Sequence, residues 1–243
     1  MAGHSKWANI QHRKKAQDTK RGKLFTKLIR EITVAARLGG GDPAANPRLR
    51  LAVDKAVAAN IGKDNVRRSI QRGTGEIEGA VYENITYEGY GAGGAAVLVE
   101  CATDNRNRTV AEVRHTFGRH GGNLGTAGSV AWLFEQKGVL SWAPGGDEDA
   151  IIEAGIEAGV EDAESDAGGL RLTVDPKRLL DAREAMRRAG LAPHDSGIEM
   201  TPASFVSPAR GDADKLLRLL DALDALDDVQ NVYCNADFPD ECL

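Results

Sequence analysis

The residues at the start of this chain that could do chemistry are cationic. Between Gly3 and Arg30, nine Lys and Arg side chains stand against one acid, Asp18, which gives the stretch a net charge of +8. Like charges held together are costly unless an anionic partner neutralises them, so this composition predicts a surface that binds phosphate groups of nucleic acid. The candidate contact residues are His4, Lys6, Trp7, His12, Arg13, Lys14, Lys15, Lys20, Arg21, Lys23, Lys27 and Arg30, with Arg67, Arg68 and Arg72 further along the chain.

The rest of the chain has the opposite charge. Residues 1–75 carry 17 Lys+Arg and 5 Asp+Glu, a net charge of +12, whereas residues 76–243 carry a net charge of −17. The overall value of −5 and the pI near 5.6 therefore average two parts of opposite sign. The electrostatic character that matters for a nucleic-acid partner belongs to the domain and not to the whole chain.

Four of the cationic residues recur at helical spacing. Lys20, Lys23, Lys27 and Arg30, here called the cationic ridge, fall at i, i+3, i+7 and i+10. A separate apolar stripe of the same helix would be buried. A solvated helix face is the ordinary reading of such a ridge, but almost no acids interleave at i+4, which favours a phosphate-facing role. Reversing Lys20, Lys23 and Lys27 to Glu is then expected to abolish nucleic-acid binding and leave thermal stability nearly unchanged.

Three helices are predicted to form a small N-terminal domain. Gly39 to Gly41 end the first helix, and Asn46-Pro47 open the second as N-cap and first helical residue. Asp64 is expected to cap a third, short helix that Gly73 closes. Residues before about Ala16 have weak periodicity and many polar side chains, which is typical of a basic arm that orders on binding.

From about residue 82 the sequence alternates strands and helices. Strands are predicted at 83–87, 95–102, 130–134, 139–142, 160–165, 170–174, 198–206 and 229–234, and helices at 109–120, 147–158, 176–189 and 212–226. Residues 139–206 follow the order βαββαβ of the ferredoxin-like pattern. The preceding ββαβ lacks a closing helix and strand, which the chain end supplies. The fold class is therefore α+β: a three-helix domain (with the arm, 1–77), a discontinuous α/β domain (78–136 plus 207–243), and an inserted ferredoxin-like domain (137–206).

No motif predicts catalysis, a cofactor, a metal or a small-molecule substrate. Gly89–Gly94 matches GxGxxG, but a strand follows it where a dinucleotide site needs a helix, so it is read as a hairpin. Gly121–Gly128 lacks the Lys of a phosphate loop and is read as a wide turn. The five His residues are scattered, and nine acids between Asp147 and Asp166 are read as solvated faces.

The cysteines and the lengths of the apolar runs limit the classes of protein to which this chain can belong. Three cysteines without CxxC spacing argue against a disulfide framework and fit a reducing cytosol, with Cys101 as a buried apolar residue. No run approaches the ~18 apolar residues of a membrane span. Arg106 and Arg108, in a polar turn that enters a helix, could either extend the basic surface or anchor the loop to acids.

Three long blocks resemble the YebC/PmpR family, which also includes mitochondrial translational activators. They are AGHSKWANIQHRK at the start, YEGYGAGGAAVLVECATDNRNRT in the middle and GGNLGTAGSVAWLF after it. The resemblance implies a three-domain α/β protein whose third domain is inserted in the second, and a non-enzymatic cytoplasmic regulator. Family members are described as DNA-binding transcriptional regulators, and others as translation factors that act on the ribosome, some relieving stalls at proline-rich stretches.

The residues leave both nucleic-acid partners open. For DNA, Arg67, Arg68 and Arg72 could reach a groove, although no helix-turn-helix signature with a clear recognition helix is evident. For ribosomal RNA, a Lys- and Arg-rich arm with His4, Trp7 and His12 available for stacking suits folded RNA and the ribosome. Trp7 could equally pack the arm onto the helical domain.

Overall fold

Helical spacing in the first third of the chain produces three helices packed on one another. The structure, a computed structural model, describes residues 21–166 and 168–238. The helices are α1 (Arg21–Gly39), α2 (Pro47–Ala58) and α3 (Lys63–Thr74). Their common core is aliphatic and includes Leu28, Ile32, Leu49 and Ala52. On the apolar face of α1, Leu28, Ile32, Ala35 and Ala36 are buried, Leu24 and Ile29 are partly buried, and Phe25 near the start of the helix is exposed.

The predicted start of α2 is confirmed. The Asn46 side chain accepts a hydrogen bond from the Leu49 amide at 3.1 Å, and Pro47 is the first helical residue. The Asn46 amide also donates to the carbonyls of Ala35 at 2.8 Å and Gly40 at 2.9 Å. One buried side chain thus caps α2 and satisfies carbonyls at the end of α1, which fixes the angle between the two helices.

The predicted ends of α3 are wrong. Gly62 occupies the N-cap position, and Asp64 lies inside the first turn, where its charge favours the helix N-terminus. The helix runs past Gly73 and closes at Gly75, whose φ of 82° is the left-handed conformation of a glycine C-cap. Position 73 requires a glycine because α1 packs closely against it: a Cβ there would lie 2.3 Å from the Thr33 carbonyl oxygen of α1.

The second domain is a four-stranded antiparallel sheet with two helices on one face. Its elements are β1 (Glu83–Tyr90), β2 (Ala96–Thr103), α4 (Arg106–Arg119), β3 (Asn123–Leu124), α7 (Arg210–Asp224) and β8 (Val229–Cys234). The strand order is β3-β1-β2-β8. Phe117 of α4 and Leu216 of α7 belong to the apolar cluster on the face of β2 that carries Val97 and Val99. Ala96 and Leu98 on the other face are buried in a second cluster with Val130 and Phe134, so both faces of the strand are covered and its apolar run is continuous.

The glycine-rich segment after β1 is the predicted hairpin. Tyr90 faces Ala96 in the register of β1 and β2. Gly93 and Gly94 in the connecting turn have φ of 72° and 75°, a region that side chains with a Cβ rarely adopt.

The strand predicted at 130–134 is wrong. Residues Ala131–Leu133 form a 3₁₀ turn, and Phe134 is the first residue of the next strand. The strand that pairs with β1 on the side away from β2 is instead the two-residue β3, which lies inside the Gly121–Gly128 segment.

The third domain lies between β3 and α7 in the chain. It contains β4 (Phe134–Trp142), α5 (Glu148–Ala158), β5 (Asp162–Asp166), β6 (Gly169–Val174), α6 (Leu179–Arg188) and β7 (Asp195–Pro202). The strand order β5-β6-β4-β7 and the two helices give the ferredoxin-like arrangement. The chain is therefore α+β, with a three-helix domain followed by two ferredoxin-like domains, the third inserted into the second. The boundary residues chosen from the sequence stay a prediction.

Candidate nucleic-acid interface

The structure describes only part of the predicted contact set. His4, Lys6, Trp7, His12, Arg13, Lys14, Lys15 and Lys20 lie outside the described residues. Arg21 is the first residue of α1. The remaining candidates divide into two groups: Lys23, Lys27 and Arg30 on α1, and Arg67, Arg68 and Arg72 on α3.

The described part of the cationic ridge lies against the second domain. Lys23 Nζ donates to the Ala225 carbonyl at 2.6 Å, and Lys27 Nζ lies 2.9 Å from Asp224 Oδ1. Here residues 224–228, which join α7 to β8, are called the acidic turn. In this conformation the described lysines of the ridge therefore contact a carboxylate and a carbonyl oxygen of the protein itself.

Arg30 completes this contact at a buried carboxylate. Its guanidinium lies 3.0 Å from Asp228 Oδ1, donates to the Asp227 carbonyl, and sits over the Tyr82 ring at 5.3 Å from the centroid. Asp228 is only 1% exposed. A buried charge needs close partners to remain ionised, so Arg30 is a structural partner of the second domain.

The other oxygen of Asp228 belongs to the second domain's own network. Asp228 Oδ2 accepts hydrogen bonds from Arg108 Nη2 and Thr109 Oγ1, both at 2.7 Å, and from Thr103 Oγ1 at 3.1 Å. Burial alone would raise the pKa of Asp228, but the bonds from Arg108 and Thr109 and the charge of Arg30 outweigh it and lower that pKa.

These contacts decide between the two predicted roles, basic surface or anchor to acids, for one of the two arginines in the polar turn. Arg108 anchors the turn to acids, since it also lies 2.9 Å from Asp104. Arg106 lies 3.8 Å from Glu83, with most of its side chain exposed.

The contacts also change the expected outcome of reversing the ridge. A Glu at position 27 would face Asp224, and a Glu at position 23 would face a carbonyl oxygen. Both substitutions place like charges or acceptors together, so loss of stability is expected alongside any loss of binding. The role of the ridge toward nucleic acid stays a prediction.

The second group of candidates lies on the exposed face of α3. Arg67, Arg68 and Arg72 are all exposed, whereas Val66 and Ser69 of the same helix are buried. Arg67 lies 2.9 Å from Asp64, but 69% of its side chain remains exposed. An exposed ion pair of this kind contributes little stability, so phosphate can displace it at small cost.

The sequence analysis missed the acidic turn, although a signal was present. Asp224, Asp227 and Asp228 follow one another at the C-terminal end of α7. Carboxylates are unfavourable at a helix C-terminus, because the helix dipole is negative there. Cations from other elements are expected to stabilise such acids. Here they are Lys27 and Arg30 of α1 and Arg108 of α4.

One carboxylate holds the end of the Gly121–Gly128 segment and the start of the 3₁₀ turn that follows it. Glu88 of β1 accepts hydrogen bonds from the amides of Gly128, Val130 and Ala131, each at 2.7 Å. Burial would raise the pKa of Glu88, but these three amide donors lower it. The segment is therefore a turn pinned to β1, and Glu88 is a structural residue that the sequence analysis did not identify.

Three other features bear on function in the part of the chain that the structure describes. Among those residues, no group of three His, Cys, Asp or Glu side chains is placed to hold a metal ion. None of the described helices combines the length and apolar character needed to cross a membrane. Cys101 and Cys234 are buried, and burial raises the pKa of each thiol to about 12.

Comparison with known proteins finds two family models along the chain. Residues 5–76 match the model described as the TACO1/YebC protein N-terminal domain, and residues 82–236 match TACO1/YebC second and third domain. A protein of Nitrosococcus oceani named "Probable transcriptional regulatory protein" is 57% identical, with 100% of this chain and 98% of that protein covered. A protein of Thioalkalivibrio sulfidiphilus with the same description is 62% identical over the same shares.

A solved structure has the same fold. The crystal structure of a conserved hypothetical protein from Aquifex aeolicus superposes with a TM-score of 0.87 at 44% sequence identity. The match covers 93% of this chain and 94% of that one.

Proposed function

This chain belongs to the TACO1/YebC family, and from that premise we propose that it is a non-enzymatic, cytoplasmic, nucleic-acid-binding regulator of gene expression. The observation that carries the proposal is the exposed arginine face of α3, on the one part of the sequence with a large positive charge. Arg67, Arg68 and Arg72 lie within two turns of one helix, a spacing that suits successive phosphates. The basic arm, with Lys6, Arg13, Lys14, Lys15 and Lys20, adds cations immediately before α1.

DNA is the proposed target, because the relatives are named as probable transcriptional regulatory proteins. The second candidate is ribosomal RNA, with the protein as a translation factor on the ribosome. The composition of the arm favours it: His4, Trp7 and His12 can stack on unpaired bases, which folded RNA offers and duplex DNA does not.

A matched pair of variants tests the arginine face. Arg67→Glu/Arg68→Glu reverses two adjacent exposed arginines on α3. Arg187→Glu/Arg188→Glu makes the same change on α6, where both arginines are exposed and Arg187 has an i,i+3 acid partner at 3.1 Å, as Arg67 has. The two variants therefore change net charge equally, and only one of them alters the proposed interface.

Binding to a labelled 30-base-pair duplex DNA and to a labelled RNA hairpin is measured by fluorescence anisotropy from 50 to 300 mM KCl. The α3 variant is expected to bind at least about tenfold more weakly, and its log–log salt slope should fall by about 2, because each lost phosphate contact removes about 0.9. The α6 variant should bind as the unaltered protein does. Equal affinities of the two variants would refute the interface. The probe that the unaltered protein binds more tightly, duplex DNA or RNA hairpin, identifies the preferred class of nucleic acid.

A further inference from the structure

A cleft of about 900 Å³ lies where the three domains meet. One wall is formed by α1 and α2, a second by β1, β2 and β8, and a third by β7. Part of its lining is apolar, with Leu24 and Leu28 from α1, Ile85 from β1 and Met200 from β7. A cleft of this size and lining accommodates an extended peptide segment with some apolar side chains.

Carboxylates outnumber cationic side chains around this cleft. The described residues that line it include seven carboxylates and five cationic side chains. Three of these carboxylates, Glu100, Glu164 and Asp221, come from three different elements (β2, β5 and α7). The excess of carboxylates disfavours nucleic acid as an occupant, because phosphates would be repelled.

The five cations are already close to protein acceptors. Arg48 lies 2.6 Å from Glu31, Arg171 lies 3.1 Å from Glu199, and Lys55 lies 3.4 Å from Asp195. Lys27 and Lys23 contact the acidic turn, as described above. An occupant of this cleft should therefore supply positive charge of its own.

One segment of this chain has the required composition and starts at the cleft. Residues 1–20 carry five Lys+Arg and one Asp, together with the apolar side chains of Trp7 and Ile10. They precede α1 directly, and Lys23, Leu24 and Lys27 in the first turns of α1 line the cleft. At about 3.3 Å per residue, 20 residues reach up to about 65 Å, more than enough to cross it.

We propose that the basic segment of residues 3–20 docks in the interdomain cleft, with its Lys and Arg side chains on the acidic lining and Trp7 on the apolar lining. Docking withdraws the cations of the segment from solution, so nucleic acid must compete with the cleft for them. The docking does not depend on nucleic acid, whereas the competition rests on the proposed function.

Zero-length carbodiimide crosslinking of the full chain, read by peptide mass spectrometry, tests the docking without nucleic acid. Lys6, Lys14, Lys15 and Lys20 are expected to link to Glu164 or Asp221 within one chain. Links to the exposed Glu153 and Glu157 of α5 instead, or links that mixed isotope-labelled protein shows to join two copies, would overturn the proposal.

Matched variants give a second readout. Glu164→Gln/Asp221→Asn removes two cleft charges, and Glu153→Gln/Glu157→Gln removes two charges outside the cleft. Tryptic cleavage between Arg13 and Lys15 is expected to become roughly fivefold faster in the cleft variant only, because a segment held by fewer charge interactions is more often exposed. Circular dichroism checks that both variants are folded, and equal cleavage rates in the two would refute the docking.

Adding the duplex DNA or the RNA hairpin separates this inference from the proposed function. Nucleic acid is expected to reduce the crosslinks from the segment to the cleft. If the crosslinks form but neither probe binds, the docking stands and the proposed function fails. If a probe binds and the crosslinks never form, the docking fails and the proposed function stands.

Discussion

Asp228→Asn is the substitution that most directly tests how the helical domain is attached. Asn keeps the size of the side chain but removes the negative charge that Arg30 and Arg108 share. Breaking a buried ion pair by neutralising one partner typically costs about 3–5 kcal/mol. Arg108 keeps Asp104 at 2.9 Å, and Arg30 keeps the Tyr82 ring, so the expected loss is about 2–4 kcal/mol.

The assay is urea denaturation followed by circular dichroism at pH 7. Asp227→Asn is the matched control, because Asp227 is exposed in the same turn and only its carbonyl contacts Arg30. The control makes the same change of charge and should shift the free energy of unfolding by less than about 0.5 kcal/mol. If Asp228→Asn were as mild as Asp227→Asn, the buried carboxylate would not hold the two domains together.

The pH dependence of the same variant has a defined sign. The folded-state pKa of Asp228 is lowered, so its stabilising contribution is fully present above the unfolded-state pKa, which is about 3.9. That contribution is lost as pH falls through the lowered folded-state pKa. The difference in stability between the original protein and Asp228→Asn should therefore shrink on acidification from pH 5 and stay constant from pH 6 to 8. A difference that grew toward acid pH would refute this assignment.

Two smaller tests address packing and thiol burial. Gly73→Ala should destabilise the protein by about 2 kcal/mol or more, since its Cβ would meet the Thr33 carbonyl, whereas Gly118→Ala in α4 has open space and should be neutral or stabilising by up to about 1 kcal/mol in the same urea assay. Cys101 and Cys234, with thiol pKa values of about 12, should resist iodoacetamide at pH 8 in the folded protein and react in urea, as peptide mass spectrometry can show for each residue. Labelling of Cys101 or Cys234 in the folded protein would contradict their burial.

Local signals predicted much of the fold. Asn46-Pro47 marked the start of α2 because capping acts within three residues. The apolar run at 95–102 marked β2 because a strand covered on both faces needs apolar residues at successive positions. The segment at 130–134 misled because its turn is held by Glu88, some 42 residues earlier in the chain. A contact between residues so far apart in the chain does not change the pattern of apolar and polar residues within 130–134, so that pattern could not reveal the turn.

From the sequence, only the amino-acid composition of the candidate site could be predicted, not its geometry. The charge asymmetry identified the helical domain, but not which cations are exposed. Lys27 and Arg30 are three residues apart, a helical spacing that predicts one phosphate-facing ridge. Their partners, Asp224 and Asp228, lie about 200 residues later, so pairing them required the fold.

The positive charge of the helical domain is thus divided between a shielded contact with the second domain and the solvent-exposed face of α3. The side chains of Lys27 and Arg30 are 19% and 13% exposed, and they contact carboxylates that are 22% and 2% exposed. Salt screens such shielded pairs weakly, whereas it strongly screens exposed side chains such as that of Arg67. Because the domain attachment is shielded and the α3 face is open, the proposed interface predicts that raising the salt concentration weakens nucleic-acid binding without loosening the contact between α1 and the second domain.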